Sequence, residues 1–520
     1  MSLSRRKFLG AATLGATSAF VGEAASYGDP ATAIPADSDY NTLTLRGYNR
    51  RFIAHPDEIF VPSNAIEVQD AVDASIRANQ RIAVRSGGHC FDDFVDSPDT
   101  RALIDLQRMN SVDWDHQYGA FSVSAGADLE TVYRELARWG VTIPGGICRN
   151  VGVGGHISGG GYGPLSRQYG LVADHLYGVE IVTVDSSGRS ALTIATREGP
   201  NRDLWWAHTG GGGGNFGIVT RFFLRTPTSD GSDPSQALPP VPDSVVVGHL
   251  VMPMPLSSED SFAQLLNNYL DFYARYRQPR NRYAAVFARL NFHPIIESFA
   301  DLLVFSHGDG DQAYAQLDEF LTAVTSKVKP APLVLPPVRV TYIDCIDQFY
   351  APRPANPFRV KIKTALLRQP YSADQLKTLY RGLVDPVMTA DSFVEFAPFG
   401  GMINAVAVDA TAMPARDSFM KMLIHAAWRE PANDEQLASW ARKIYRELYS
   451  DTGFAPVPNE RNGGCYINYP DPDLADPEWN TSSLPWHGFY YGSGYPRLQR
   501  IKADWDPNNN FRHRLSIEQP

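Results

Sequence analysis

Pro144-Gly145-Gly146-Ile147-Cys148 is followed after three residues by Gly152-Val153-Gly154-Gly155-His156-Ile157-Ser158-Gly159-Gly160-Gly161-Tyr162-Gly163, and this stretch decides how the chain is read. Upstream stands a second glycine-bearing segment, Arg85-Ser86-Gly87-Gly88-His89. Glycine at this density lets backbone amides approach an anion or a flat ring, because no Cβ intervenes. Each segment also carries one strong nucleophile, the His89 imidazole or the Cys148 thiol. Held in two such loops, they can close on one bound group from two sides.

Working outward, His89 is followed by Cys90-Phe91-Asp92-Asp93-Phe94. The Cys148 loop runs on through Leu165-Ser166-Arg167-Gln168-Tyr169-Gly170-Leu171-Val172-Ala173-Asp174 into Val179-Glu180-Ile181-Val182-Thr183-Val184. Asp203-Leu204-Trp205-Trp206 precedes five glycines, Asn215-Phe216-Gly217 and Ile218-Val219-Thr220. Near the end come Tyr466-Ile467-Asn468-Tyr469-Pro470-Asp471, Tyr495-Pro496-Arg497-Leu498 and Asp506-Pro507. In this order and at these spacings, the segments resemble the berberine-bridge-type flavoproteins, a branch of the vanillyl-alcohol oxidase superfamily. The resemblance extends from about residue 45 to the C-terminus.

That resemblance implies FAD bound covalently twice, through its 8α-methyl to His89 and through ring carbon six to Cys148. It also implies cofactor contacts from Arg85, Ser86, Gly87 and Gly88, from Gly152, Gly154, Gly155 and Gly159, and from Val219 and Asn468. A neutral imidazole can add to the methyl carbon of a flavin in its quinone-methide form, and a thiolate can add to the electron-poor ring. Two attachments raise the flavin's reduction potential and favour hydride abstraction from a plain alcohol. Cys90, directly after His89, competes for the thiol role. Neighbouring residues on a strand point to opposite faces, and the resemblance favours Cys148.

The match sharpens toward sugar and alcohol oxidases, including hexose oxidases of glycopeptide antibiotics, at Gly-Gly-His-Cys-Phe, at Gly159 to Arg167, at Asn480-Thr481-Ser482 and at Pro485-Trp486-His487. In that group the position of Tyr469 deprotonates the substrate hydroxyl and that of Tyr162 assists. A phenol with an ordinary pKa of ~10 needs a nearby donor or positive charge to act near neutrality. His425, in the strand-like Met422–Trp428, is either pocket wall or a structural histidine. His156 has no assigned task.

Composition bounds the alternatives. At 520 residues the chain exceeds one ordinary core. A formal net charge of −10, with no dense basic stretch, argues against nucleic acid as a partner. The four cysteines form no zinc-type spacing, and no metal site is expected; a disulfide through Cys90 or Cys465 stays open. Ser4-Arg5-Arg6-Lys7-Phe8-Leu9, ahead of a short apolar stretch, resembles a twin-arginine export signal. That stretch is too short to span a bilayer, so stable membrane insertion is not expected and a periplasmic or extracellular location is.

The expected organisation is a signal and linker over 1–44, an FAD-binding domain over 45–228, a substrate domain over 229–459, and a return to the FAD domain over 460–520. The fold class is α+β: a p-cresol-methylhydroxylase-type FAD domain beside an antiparallel sheet covered by helices. Strands are predicted at 82–84, 179–184, 218–224, 245–251, 283–290, 302–305, 360–366 and 393–397. Helices are predicted at 65–80, from 128, and near 259–276, 311–325, 372–384 and 433–449. Gly212 to Gly217 satisfies GxGxxG formally, yet Ile218-Val219-Thr220-Arg221-Phe222-Phe223 reads as a strand where a dinucleotide fingerprint needs a helix. The function this implies is exported oxidation of a hydroxyl on a sugar, oligosaccharide or glycosylated natural product, with dioxygen reduced to hydrogen peroxide. Oxidative ring closure or desaturation from the same scaffold, and drug sequestration without turnover, remain alternatives.

Overall fold

Side-chain caps start the first two long helices where polar residues precede an apolar periodicity. Asn64 accepts from the Glu67 amide ahead of Ala65–Arg77, and Asp128 from the Thr131 amide ahead of Leu129–Ala137. The computed structural model describes residues 32–520 apart from 254–257, 295–298, 309, 353 and 355–356. The twin-arginine segment lies outside the described residues.

Among the described residues the strands form three sheets. The first contains β1 (Thr32–Ala33), β2 (Glu58–Phe60), β3 (Ile82–Arg85) and β4 (Ala102–Asp105), in the order β1-β2-β4-β3 with parallel β2/β4 and β3/β4 pairs. The second contains β5 (Val112–Asp115), β6 (Ala120–Ser124), β7 (Leu176–Val184), β8 (Ser190–Thr196) and β9 (Ile218–Leu224), antiparallel in the order β5-β6-β9-β7-β8. Within the stretch expected as linker, Thr32–Ala33 form a strand of the first sheet and Tyr40–Thr44 a short helix. β1 pairs with β2, and the Tyr40 hydroxyl donates to Pro56 O at 2.7 Å.

The third sheet holds β10 (Val245–Pro253), β11 (Val286–Phe292), β12 (Phe299–Ser306), β13 (Leu333–Val340), β14 (Arg359–Leu367), β15 (Phe393–Pro398) and β16 (Met420–Trp428). Its order is β13-β10-β12-β11-β15-β16-β14, antiparallel throughout. β13 is absent from the predicted strands, because the Pro336-Pro337 pair masks a strand pattern. Alternation along the strands separates two environments. Met420, Met422, Ile424 and Trp428 pack into one core with helices Glu259–Arg275, Gly310–Thr325, Ala373–Leu383 and Asp434–Leu448. Lys421, Leu423 and His425 point the other way, onto a cavity shared with the first two sheets.

The C-terminal residues belong to the core of those two sheets. Leu498, Ile501, Phe511, Leu515 and Ile517 pack with Val179, Ile218 and Phe222. The buried Lys502 ammonium donates to Asn215 O at 2.7 Å and Phe511 O at 2.6 Å, and pairs with Asp506 at 2.5 Å. This fastens the C-terminal segment to the glycine loop ahead of β9. No helix of the described residues is long and apolar enough to cross a membrane.

Candidate active site

The Arg85–His89 and Cys148–Ser158 segments meet backbone to backbone. A Cβ on Gly87 would lie 2.3 Å from Gly152 N, and one on Gly152 would lie 2.0 Å from Gly87 N. Ser86 locks the junction, donating to Ala125 O at 2.6 Å and accepting from Gly154 N at 3.2 Å. The second run is not loop throughout, as its glycines imply. It enters a short helix, Val153–Ser158, and leaves through Gly160 and Gly161 at positive φ.

Arg85 lines the cavity. Its guanidinium pairs with Asp105 at 2.8 Å and Asp96 at 3.2 Å and donates to Leu43 O, so it braces the loop from behind. Gly159 does not line the cavity; a Cβ there would lie 2.0 Å from Asn468 Oδ1. Asn468 donates to His156 O at 2.9 Å and to the Tyr466 hydroxyl at 2.8 Å, and so orients Tyr466.

The cavity, about 360 Å³, is of a size typical for small-molecule and cofactor sites. Ser86, Gly87, Gly88, His89, Cys148, Gly152, Gly154, Gly155, Val219, Asn468, Tyr162 and Tyr469 all line it. His89 stacks on Tyr48 at 4.3 Å, and the Tyr48 phenol lies close enough to Cys148 to feel its charge. Hydrogen bonds to its backbone hold the Cys148 loop. The Tyr133 hydroxyl donates to Gly146 O at 2.7 Å, Gly146 N donates to His156 Nε2 at 3.3 Å, Ala351 N donates to Ile147 O at 2.8 Å, and Arg149 N donates to Ala351 O at 3.0 Å. Burial drives the His156 imidazole down to about 4, keeping it neutral and able to accept.

Burial raises the Cys148 thiol, with Arg289 opposing. Burial also raises Cys90, to about 12, against hydrogen bonds from the Asp92 and Phe94 backbone that occupy its sulfur. All four cysteines are unpaired, including Cys465, whose thiol donates to Thr364 O at 3.3 Å. Among the described residues, no group of three or more His, Cys, Asp or Glu side chains is placed to hold a metal ion.

An FAD suits this cavity. A Cβ on Gly155 would meet no atom within 4 Å and one on Gly213 none nearer than 3.8 Å, so bare backbone faces open space where a ring or diphosphate can approach. Both nucleophiles line the cavity.

Opposite them, the third sheet supplies a charged row that no motif in the sequence marks. Phe393, Glu395 and Ala397 of β15 sit across from His425, Leu423 and Lys421 of β16. Lys421 Nζ lies 2.8 Å from Glu395 and donates to the Tyr469 hydroxyl at 3.2 Å; Arg289 of β11 lies 3.8 Å from Glu395. Burial opposes charge on Lys421, but Glu395 and Tyr469 outweigh it and hold the ammonium above its usual value. Burial likewise opposes charge on Glu395, yet Lys421 and Arg289 hold it ionised. Burial raises the Tyr469 phenol while Lys421 pulls it down, leaving it above the ordinary value. The one signal in the chain is a lone charge inside an apolar strand, Met-Lys-Met-Leu and Phe-Val-Glu-Phe.

Tyr162 is near but otherwise engaged. Its hydroxyl donates to Pro398 O at 2.6 Å, and its ring lies 5.8 Å from Lys421 Nζ.

A glycine-lined cavity bearing two nucleophiles, closed by a sheet whose Lys421 supports the phenol of Tyr469 from the C-terminal segment, defines a flavin-dependent oxidoreductase. Residues 56–189 match a family model described as an FAD binding domain, and residues 465–518 match one described as berberine and berberine like. The chain is 45% identical to an aclacinomycin-N/aclacinomycin-A oxidase of Streptomyces galilaeus, covering 93% of this chain and 89% of the relative. It is 30% identical to a hexose oxidase of Chondrus crispus, over 91% and 92% of the two chains. A solved glycopeptide hexose oxidase complexed with teicoplanin superposes with a TM-score of 0.90 at 40% identity, covering 94% of this chain and 99% of that one. The chain belongs to the berberine-bridge-enzyme-like family of FAD-dependent oxidoreductases, in the vanillyl-alcohol oxidase superfamily.

Proposed function

We propose that this protein is an FAD oxidase that attaches its flavin to both His89 and Cys148 and oxidises a sugar hydroxyl of a glycosylated natural product. The observation that carries the reading is the Tyr469 hydroxyl held 3.2 Å from the Lys421 ammonium, in the cavity that both nucleophiles line. Tyr469 takes the hydroxyl proton of the substrate. Lys421, itself fixed by Glu395, stabilises the phenolate that must do so. Tyr162, its proton committed to Pro398 O, assists by packing beneath the same ammonium. When bound, FAD would supply the acceptor for the carbinol hydride, with dioxygen as the final oxidant and hydrogen peroxide as its reduced product.

Relatives acting on aclacinomycin, on hexoses and on a glycopeptide scaffold support a sugar borne on a larger molecule. Arg5-Arg6 and the apolar stretch behind them support export of the folded protein by the twin-arginine route.

The test combines acid denaturation, peptide mass mapping and peroxide assay. Flavin on peptides containing His89 and Cys148, with peroxide released stoichiometrically from aclacinomycin A, is the expected result. Colourless denatured protein would refute the double attachment, and flavin reduction without peroxide would refute the oxidase reading. For export, a double Arg5→Lys, Arg6→Lys variant should remain in the cytoplasm while the parent leaves it.

A further inference from the structure

Two lysines and two aspartates that the mechanism does not use meet at the edge of the third sheet, none of them more than 4% exposed. Lys361 and Lys363 of β14 lie opposite Ala426 and Ile424 of β16, on the face packed by helices and away from the cavity. Asp471 lies 2.7 Å from Lys361 Nζ and 2.8 Å from Lys363 Nζ. Asp473 lies 3.0 and 2.7 Å from the same two ammonium groups. Arg442, from the helix Asp434–Leu448, closes on Asp473 at 2.8 Å. Burial opposes charge on Lys361, but Asp471, Asp473 and Asp92 of the His89 segment outweigh it and hold the ammonium above its usual value.

Such a cluster is a poor source of stability, because desolvating the charges offsets most of their attraction. Its place in the chain gives it another use. β14 is the last strand of its sheet, and residues 461–465 run along its outer edge. Leu366 N donates to Gly464 O at 2.9 Å, and Gly463 N donates to Leu366 O at 2.7 Å. From there the chain puts Tyr469 on the cavity side, where it meets Lys421, and Asp471 on the helix side two residues later. Pro470 stands between them; its ring fixes one backbone dihedral and restricts the residue before it. The Asp471 amide donates to the Tyr490 hydroxyl at 2.9 Å, so its backbone and side chain are both held. The segment thus crosses the sheet edge with little slack, gripped at one end by two lysines and bearing the phenol at the other.

We propose that Asp471 is a positioning residue for the reaction: held by Lys361 and Lys363 on the far face of the sheet, it keeps the Tyr469 hydroxyl within reach of the Lys421 ammonium. The 3.2 Å contact that favours the phenolate therefore depends on two lysines that do not line the cavity. This inference rests on Tyr469 being the base proposed above.

The test uses the flavin-loaded protein with a fluorotyrosine installed at position 469, whose ring fluorine reports its own ionisation by nuclear magnetic resonance without any substrate. Lys363→Met with Asp471→Leu replaces an ion pair by apolar groups of similar volume and leaves the net charge unchanged, so it should melt within a few degrees of the parent. In that variant the phenol should ionise about one pH unit higher, because its contact with an opposite charge is loosened rather than removed. Flavin reduction by aclacinomycin A at pH 7 should fall about tenfold, with KM unchanged. Asp471→Asn, the milder change, should move the titration the same way by less. An unmoved titration in both variants, a fall in melting temperature with no change in titration, or failure of both to fold would each overturn the proposal. A shifted titration with an unchanged rate, or wild-type flavin reduction by Tyr469→Phe, would instead sink the base reading and leave the Asp471 contact standing.

Discussion

Replacing Lys421 by methionine removes the charge beneath Tyr469 while keeping most of the stem that fills the site. At 3.2 Å and an effective dielectric of about 20, a phenolate–ammonium pair is worth about 5 kcal/mol. Glu395, 2.8 Å from the same ammonium, cancels part of that field. A net preference for the phenolate of about 2–3 kcal/mol results, near two pKa units. The sign is definite: a cation favours the charged phenol, so its loss moves Tyr469 further above its already raised value. Lys421→Met should therefore lower kcat/KM at pH 7 about 100-fold and shift the rising limb of the pH profile upward by about two units. Flavin content should be unchanged. Glu395 keeps Arg289 at 3.8 Å, and a Lys421→Met, Glu395→Gln double variant removes the remaining buried charge should the single variant fold poorly. Stopped-flow flavin reduction from pH 6 to 10.5 measures the profile. Because the phenol titrates above its ordinary value, the loss should hold at about 100-fold through the lower part of that range. Wild-type rates there, or a loss that does not follow the upward move of the rising limb at its alkaline end, would refute the electrostatic account.

Other perturbations probe the rest of the site. Tyr469→Phe should retain full covalent flavin yet lose 10²–10⁴ in the rate of flavin reduction, the usual range for a positioned base; wild-type rates would remove Tyr469 from the mechanism. Gly152→Ala places a methyl 2.0 Å from Gly87 N and 2.2 Å from Ser86 Oγ. Separating those loops should cost about 1–3 kcal/mol in urea unfolding and leave much of the protein without flavin. Burial lifts the Asp92 carboxyl to about 7 against the pull of Lys361. A folded-state value above the unfolded one favours folding at low pH, and that contribution is lost as pH rises from about 4 through 7. Asp92→Asn should therefore melt higher than wild type at pH 8 and level with it at pH 4; scanning calorimetry at the two pH values decides it.

Much of the cofactor side was legible in the chain because it is written locally. Glycine runs, a histidine and a cysteine follow one another within short segments, and backbone approach needs glycine whatever the rest of the fold does. Amphipathic helices and apolar strands were equally plain: the helix predicted over 433–449 is observed at Asp434–Leu448, and the strand over 393–397 at Phe393–Pro398. GxGxxG at Gly212 runs into β9, as its β-branched and aromatic residues imply.

The sequence by itself thus determined the family and the two-part architecture, and it set His89 and Cys148 in their glycine-bearing segments, since each depends on neighbours in the chain. Only the tertiary structure decided what stands opposite them. Lys421, Glu395 and Arg289 come from three strands and share a face only through antiparallel register, so no spacing in the sequence relates them. Arg85, beside the histidine in sequence, has its guanidinium drawn to Asp105 and Asp96 behind the loop. His425, indistinguishable from a packing histidine in the chain, lines the cavity with its ring flat on Phe393. Charge and hydrogen bonding act through space, and the pairing of distant strands sets those distances.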